Sequence, residues 1–80
     1  MAKPNRSKFD WINFGKSVNK HRIKSELNLR ECSEHLGIDH ATIYRIENGY
    51  PCTVVIYLFL CEWMKVDPML FVKEHPPKGG

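Results

Sequence analysis

The sequence is poor in the features that mark several common classes of protein. Its three cysteines, Cys32, Cys52 and Cys61, include no C-x-x-C pair and leave one thiol over. That pattern excludes a secreted disulfide scaffold and fits core thiols in a reducing cytoplasm. No apolar signal core follows the basic start MAKPNRSK, and the longest apolar run is too short to span a bilayer. A soluble, cytoplasmic chain with no membrane partner is therefore expected. Internal repeats, low-complexity tracts and a second domain are also missing. Four histidines invite a zinc site, but the nearest ligand pair, Cys32 and His35, splits between the inner and outer faces of one helix, and no second pair completes four ligands. No metal and no cofactor are expected. Nor does any serine or cysteine have a base that the sequence places beside it, so an enzyme is not expected either.

What remains is an ordinary globular composition, 42% hydrophobic and 26% charged over 80 residues, enough for one folded domain. At this size only roughly 60% of the unfolded chain's surface is buried on folding, so stability is modest and a dimer would add to it. The net charge of +3 is uneven: residues 1–25 hold seven Lys/Arg against one Asp, and residues 26–80 hold five against eight Asp/Glu. The basic end is the side suited to a polyanion.

In chain order, a flexible basic arm over 1–9 precedes a helical domain over 10–74, and a flexible tail follows over 75–80. Asp10 is suited to cap a first helix reaching about Ser25, with Trp11, Phe14, Val18 and the stem of Arg22 on one side and Lys16, Lys20 and Lys24 on another. Asn28 with Glu31 makes a capping box for a second helix whose Leu29, Cys32, Ser33 and Leu36 share a face. Gly37 suits the left-handed turn after Leu36, Ile38 offers an apolar plug, and Asp39 is an N-cap for a third helix. There Ile43 and Ile46 point inward, while His40, Ala41, Tyr44, Arg45 and Asn48 face out. Tyr50 and Pro51 stop that helix. Residues 53–64 are β-branched and aromatic enough for a strand, but no second strand exists to pair with, so a helix apolar nearly all round is expected. Asp67 and Pro68 then start a short fifth helix over MLFVKE.

Two short helices around a glycine turn make the helix-turn-helix pattern. With Arg22, residues 28–32, LGI at 36–38 and TIYRIENG at 42–49, residues 14–72 resemble the Cro and phage-repressor type of helix-turn-helix domain, often called Xre-like. Ser33 stands where that family usually has alanine, and the loop after Gly49 lacks the basic residues many relatives place against phosphate. The resemblance implies an all-α, five-helix, lambda-repressor-like fold. It also implies a sequence-specific double-stranded DNA-binding transcriptional regulator, most simply a repressor that binds a palindromic operator as a homodimer.

On that reading His40, Ala41, Tyr44 and Arg45 are the candidate base contacts, and Lys16, Lys20, Arg30, Thr42, Asn48 and Tyr50 the candidate DNA-backbone contacts. Arg22 and Glu47 lie on faces turned toward the core, and the resemblance places a structural ion pair there. The excess of apolar surface on the fourth and fifth helices predicts a dimer interface, for which Tyr57, Leu60, Trp63, Met64 and Phe71 are the candidates. The alternative is an antitoxin-like or other protein-interaction module that holds a protein partner with the apolar fourth helix. An accessory factor for a mobile element shares the same DNA-binding site and is not separable by sequence.

Overall fold

A computed structural model of the chain describes residues 9–73. The expected arm over 1–8, Glu74 and the tail over 75–80 lie outside the described residues. Four α-helices follow in order: α1 Trp11–Lys24, α2 Leu29–Leu36, α3 His40–Glu47 and α4 Val54–Met64. A single 3-10 turn, Pro68–Phe71, closes the described chain.

Each helix starts where a side chain accepts an otherwise unpaired N–H. Asp10 accepts from Asn13, Asn28 from Glu31, Asp39 from Ala41 and Thr53 from Ile56. Helix α3 stops at Glu47, two residues before Gly49, because Asn48 turns out of helical geometry and Gly49 takes a φ of 92°. The core is shared by all of these elements: Phe14 and Val18 of α1, Cys32 of α2, Ile43 and Ile46 of α3, and Tyr57, Leu60, Cys61 and Met64 of α4 are buried. Around Tyr57 the rings of Phe9, Trp11 and Phe14 gather with centroids 4.7 to 5.8 Å from its own, and Phe14 in turn meets Phe71 at 5.2 Å. Edge-on and tilted pairs of this kind add to plain area burial.

Three expectations are corrected. The fifth helix is only the 3-10 turn, because the Phe71 carbonyl accepts the Asp10 N–H at 2.7 Å and Val72 forms an antiparallel bridge with Phe9, which draws the chain into extended geometry. The same bridge and the contacts of the Phe9 ring remove residue 9 from the arm. The dimer-interface candidates are corrected as well. Tyr57, Leu60, Met64 and Phe71 are buried within the single chain, and Trp63 is half-buried with its ring edge-on to His21 at 4.4 Å. These side chains face α1 and the 3-10 turn, and the Tyr57 hydroxyl donates to the Pro68 carbonyl.

Helix α1 packs most extensively on α3, and the contact is close enough to require glycine. A Cβ on Gly15 would lie 2.2 Å from the Ile46 carbonyl oxygen. Gly15→Ala gains about 1 kcal/mol of helix propensity but forces two backbones apart. A net loss of about 1–3 kcal/mol is expected from overpacking, read as a lower midpoint in urea; a midpoint at or above the parent's would contradict the close approach.

Burial pushes the Cys52 thiol from 9.0 up to about 11, with Cys61 acting in the same direction, and burial raises Tyr57 too. The folded-state Cys52 value lies above the unfolded one, so the neutral thiol stabilises the fold fully below about pH 9 and that contribution is lost as pH rises through about 11. Thermal melting should be level up to about pH 9 and fall above it, with a shallower fall in Cys52→Ala.

Candidate nucleic-acid interface

The candidate site is built on α2, the turn Gly37-Ile38-Asp39 and α3. At the start of α2 the Asn28 Oδ1 accepts the Glu31 N–H at 2.8 Å, and the Glu31 carboxylate accepts the Asn28 N–H at 2.9 Å. Gly37 takes a φ of 73° and its N–H donates to the Ser33 carbonyl at 2.8 Å. Space around a Cβ there is open, so glycine is required by conformation alone. Ile38 is buried and pins the turn to the core. The Asp39 carboxylate then accepts the Ala41 N–H at 3.0 Å, which starts α3 in a new direction.

Because Ile43 and Ile46 are buried, the opposite side of α3 is free of core duty. His40, Tyr44, Arg45 and Asn48 are exposed there, with Ala41 half-buried beside them. Tyr44, Arg45 and Asn48 join Tyr50 around a shallow cleft of about 390 Å³. The Arg45 guanidinium lies back along its own helix, 3.5 Å from the Ala41 carbonyl, too long a contact to hold it. Asn48 donates to the Tyr44 carbonyl at 2.8 Å, so one of its two amide hydrogens is already used. Asn48 and Tyr50 lie at the C-terminal end of α3 and are neutral, so Arg45 is the cationic member of the cleft.

Of the other candidates, Arg30 is exposed in the first turn of α2 and Thr42 is half-buried on the flank of α3. Lys16 and Lys20 are not in the Tyr44–Tyr50 cleft. They line a separate groove of about 380 Å³ with Asn19, Ile23 and Glu47, alongside α3 and not across its outer face.

That groove ends on the polar tie between α1 and α3. The Arg22 Nε and Nη2 donate to the two Glu47 oxygens at 2.7 and 3.0 Å, and Nη1 donates to the Leu27 carbonyl at 2.9 Å. Asn19 adds a donor to Glu47 at 2.9 Å. The two charged side chains retain only 13% and 6% of their exposure. The Glu47 hydrogen bonds raise the Arg22 pKa against the opposing effect of burial. Sequence reasoning missed Asn19, although its place one turn before Arg22 on α1 was a signal. Among the described residues no three of His, Cys, Asp and Glu gather closely enough to hold a metal ion, and no helix is long and apolar enough to cross a membrane.

Comparison with protein-family models, with curated proteins and with solved structures returns no match.

Removing one member of so buried a pair strands the other charge. Glu47→Ala is expected to cost about 3–5 kcal/mol, a large share of the roughly 4–12 kcal/mol available to a domain of this length. Circular dichroism at rising temperature checks it, and an unchanged melting point would reject a stabilising role for the pair.

Proposed function

We propose that this chain is a sequence-specific double-stranded DNA-binding regulator in which α2 and α3 act as a helix-turn-helix and α3 enters the major groove. Repression at a palindromic operator, one copy to each half-site, is the simplest role. The observation that carries the reading is the outer face of α3. A short helix capped at its start and anchored by two buried isoleucines presents His40, Tyr44 and Arg45 to solvent with Ala41 beside them. A helix of this kind fits a groove about 12 Å wide, where base edges offer acceptors to arginine and a methyl group to alanine. Arg45 is the candidate for a bidentate guanine contact, Ala41 makes room for a thymine methyl, and His40 and Tyr44 supply further donors. Lys16, Lys20 and Arg30 are the candidate phosphate contacts, with Thr42, Asn48 and Tyr50 as neutral ones.

A protein-interaction role, antitoxin-like or otherwise, is the second reading, favoured by the apolar residues that α4 leaves exposed. Selection of bound sites from random duplex DNA separates the two, since an interaction module recovers no motif. Within the DNA-binding reading, Arg45→Ala should cost roughly 1–3 kcal/mol on the selected site and relax preference at one base position, whereas Lys20→Ala should weaken all sequences alike and lower the salt slope by about 1. Equal loss on selected and random DNA for Arg45→Ala would make Arg45 a phosphate contact.

A further inference from the structure

The cleft beside the end of α3 carries aromatic surface that reading a duplex leaves unused. Tyr44 and Tyr50 line it and are 57% and 58% exposed. Among the described residues neither ring meets another aromatic ring. Scattered singly, such residues need no explanation, but two on one cleft form a patch of the kind that marks a contact site. Their placement is built into the backbone. Gly49 takes a φ of 92°, and the Tyr50 N–H reaches back to the Arg45 carbonyl at 3.0 Å, a bond pattern that closes helix ends. Tyr50 is thereby returned to the side of α3, in the company of Tyr44, Arg45 and Asn48.

We infer that this cleft is a stacking site for an unpaired nucleobase, through which the chain binds single-stranded nucleic acid. Bases in a duplex are stacked on one another and offer the major groove only their edges, so the faces of two tyrosines have nothing there to lie against. An unpaired base offers its own face, and aromatic side chains are the platform on which single strands are held. At about 390 Å³ the cleft lies toward the lower end of ligand sites, which run from about 300 to 1,000 Å³, and it suits one planar base.

The polar residues complete the fit. Asn48 donates one amide hydrogen to the Tyr44 carbonyl, and it keeps the other together with its Oδ1, a donor and an acceptor for the edge of a base. The Arg45 guanidinium is exposed and 3.5 Å from the Ala41 carbonyl, so it is free to take the phosphate next to that base. No acid lines the cleft. The carboxylate nearest to it in the chain, Glu47, is turned onto Arg22 and Asn19, which leaves the charge on this surface suited to a polyanion.

Single-strand binding goes beyond the duplex-binding reading and is measured with no duplex present, so the failure of either leaves the other standing. The probe is a strand of about twelve thymidines, within the span of known single-strand sites, with the fluorescent base 2-aminopurine at its centre. The full chain at micromolar concentration should bind it and quench the probe base as that base stacks. Tyr44→Ala and Tyr50→Ala should each weaken binding about five- to a hundredfold and remove most of the quench, whereas Tyr50→Phe, which keeps the ring face, should match the parent. Both positions are exposed, so the variants should keep the parent's helical circular dichroism. A uridine strand with the same probe base identifies the source: tighter binding than to the thymidine strand names RNA, through its 2′-hydroxyls, and weaker binding names DNA. A strand that is not bound, a bound strand whose base is not quenched, or folded alanine variants with the parent's affinity and quench would overturn the proposal.

Discussion

The carboxylate of Glu47 is the point on which the arrangement of the helices depends. It is the last residue of α3, yet its hydrogen bonds reach back to Arg22 and Asn19 of α1, and Arg22 carries the connection on to the carbonyl of Leu27 just before α2. Helices α1 and α3 and the loop before α2 are thereby tied through one part-buried carboxylate whose charge is balanced within the chain. Such a tie contributes less to net stability than to uniqueness, since desolvating both charges offsets much of their attraction, while any other packing of α3 would leave them unmatched. Gly15 works on the same junction from the steric side, because only a residue without a side chain lets α1 come near enough for the bonds to close.

Toward the N-terminal end of α1 the binding is apolar. Tyr57 collects Phe9, Trp11 and Phe14 and, through its hydroxyl, holds the Pro68 carbonyl, so with the Phe14–Phe71 and His21–Trp63 ring contacts it sets α4 and the 3-10 turn against α1. The two systems divide the work. Polar geometry orients α3 and its outward face, and aromatic packing fixes α4 with its core side inward. The cleft around Arg45 is therefore placed by residues that line none of it.

Local signals were the readable part of this fold. Asn28 with Glu31, Gly37 and Asp39 act within three or four residues of themselves, so their roles in starting and stopping α2 and α3 could be taken from spacing. The outward set on α3 was readable for the same reason, because two isoleucines three residues apart define the inner side against polar neighbours. Helix α4 offered no such contrast. With apolar residues on both sides, periodicity could not separate Tyr57 and Leu60, which are core, from Leu58 and Phe59, which are surface. The end of α4 at Met64 is where the sequence places it, and there Lys65 takes the left-handed conformation without being glycine. Gly15 and Asn19 depend on what lies across from them, at residues 46 and 47, and the bridge from Phe9 to Val72 spans nearly the whole described chain.

That bridge gives the unit an unusual connectivity. Paired residues of an antiparallel bridge lie roughly 5 Å apart at their α-carbons, so the backbone at residues 9 and 72 is as near as two neighbouring strands of a sheet. Topologically the described chain is almost a closed ring, and the aromatic cluster sits just inside its seam. A ring of this kind can be opened at a surface loop and sealed across the seam by a short linker with the order of its helices rotated and their packing retained. It can equally be set into a loop of a host protein, whose chain would enter and leave at nearly one point.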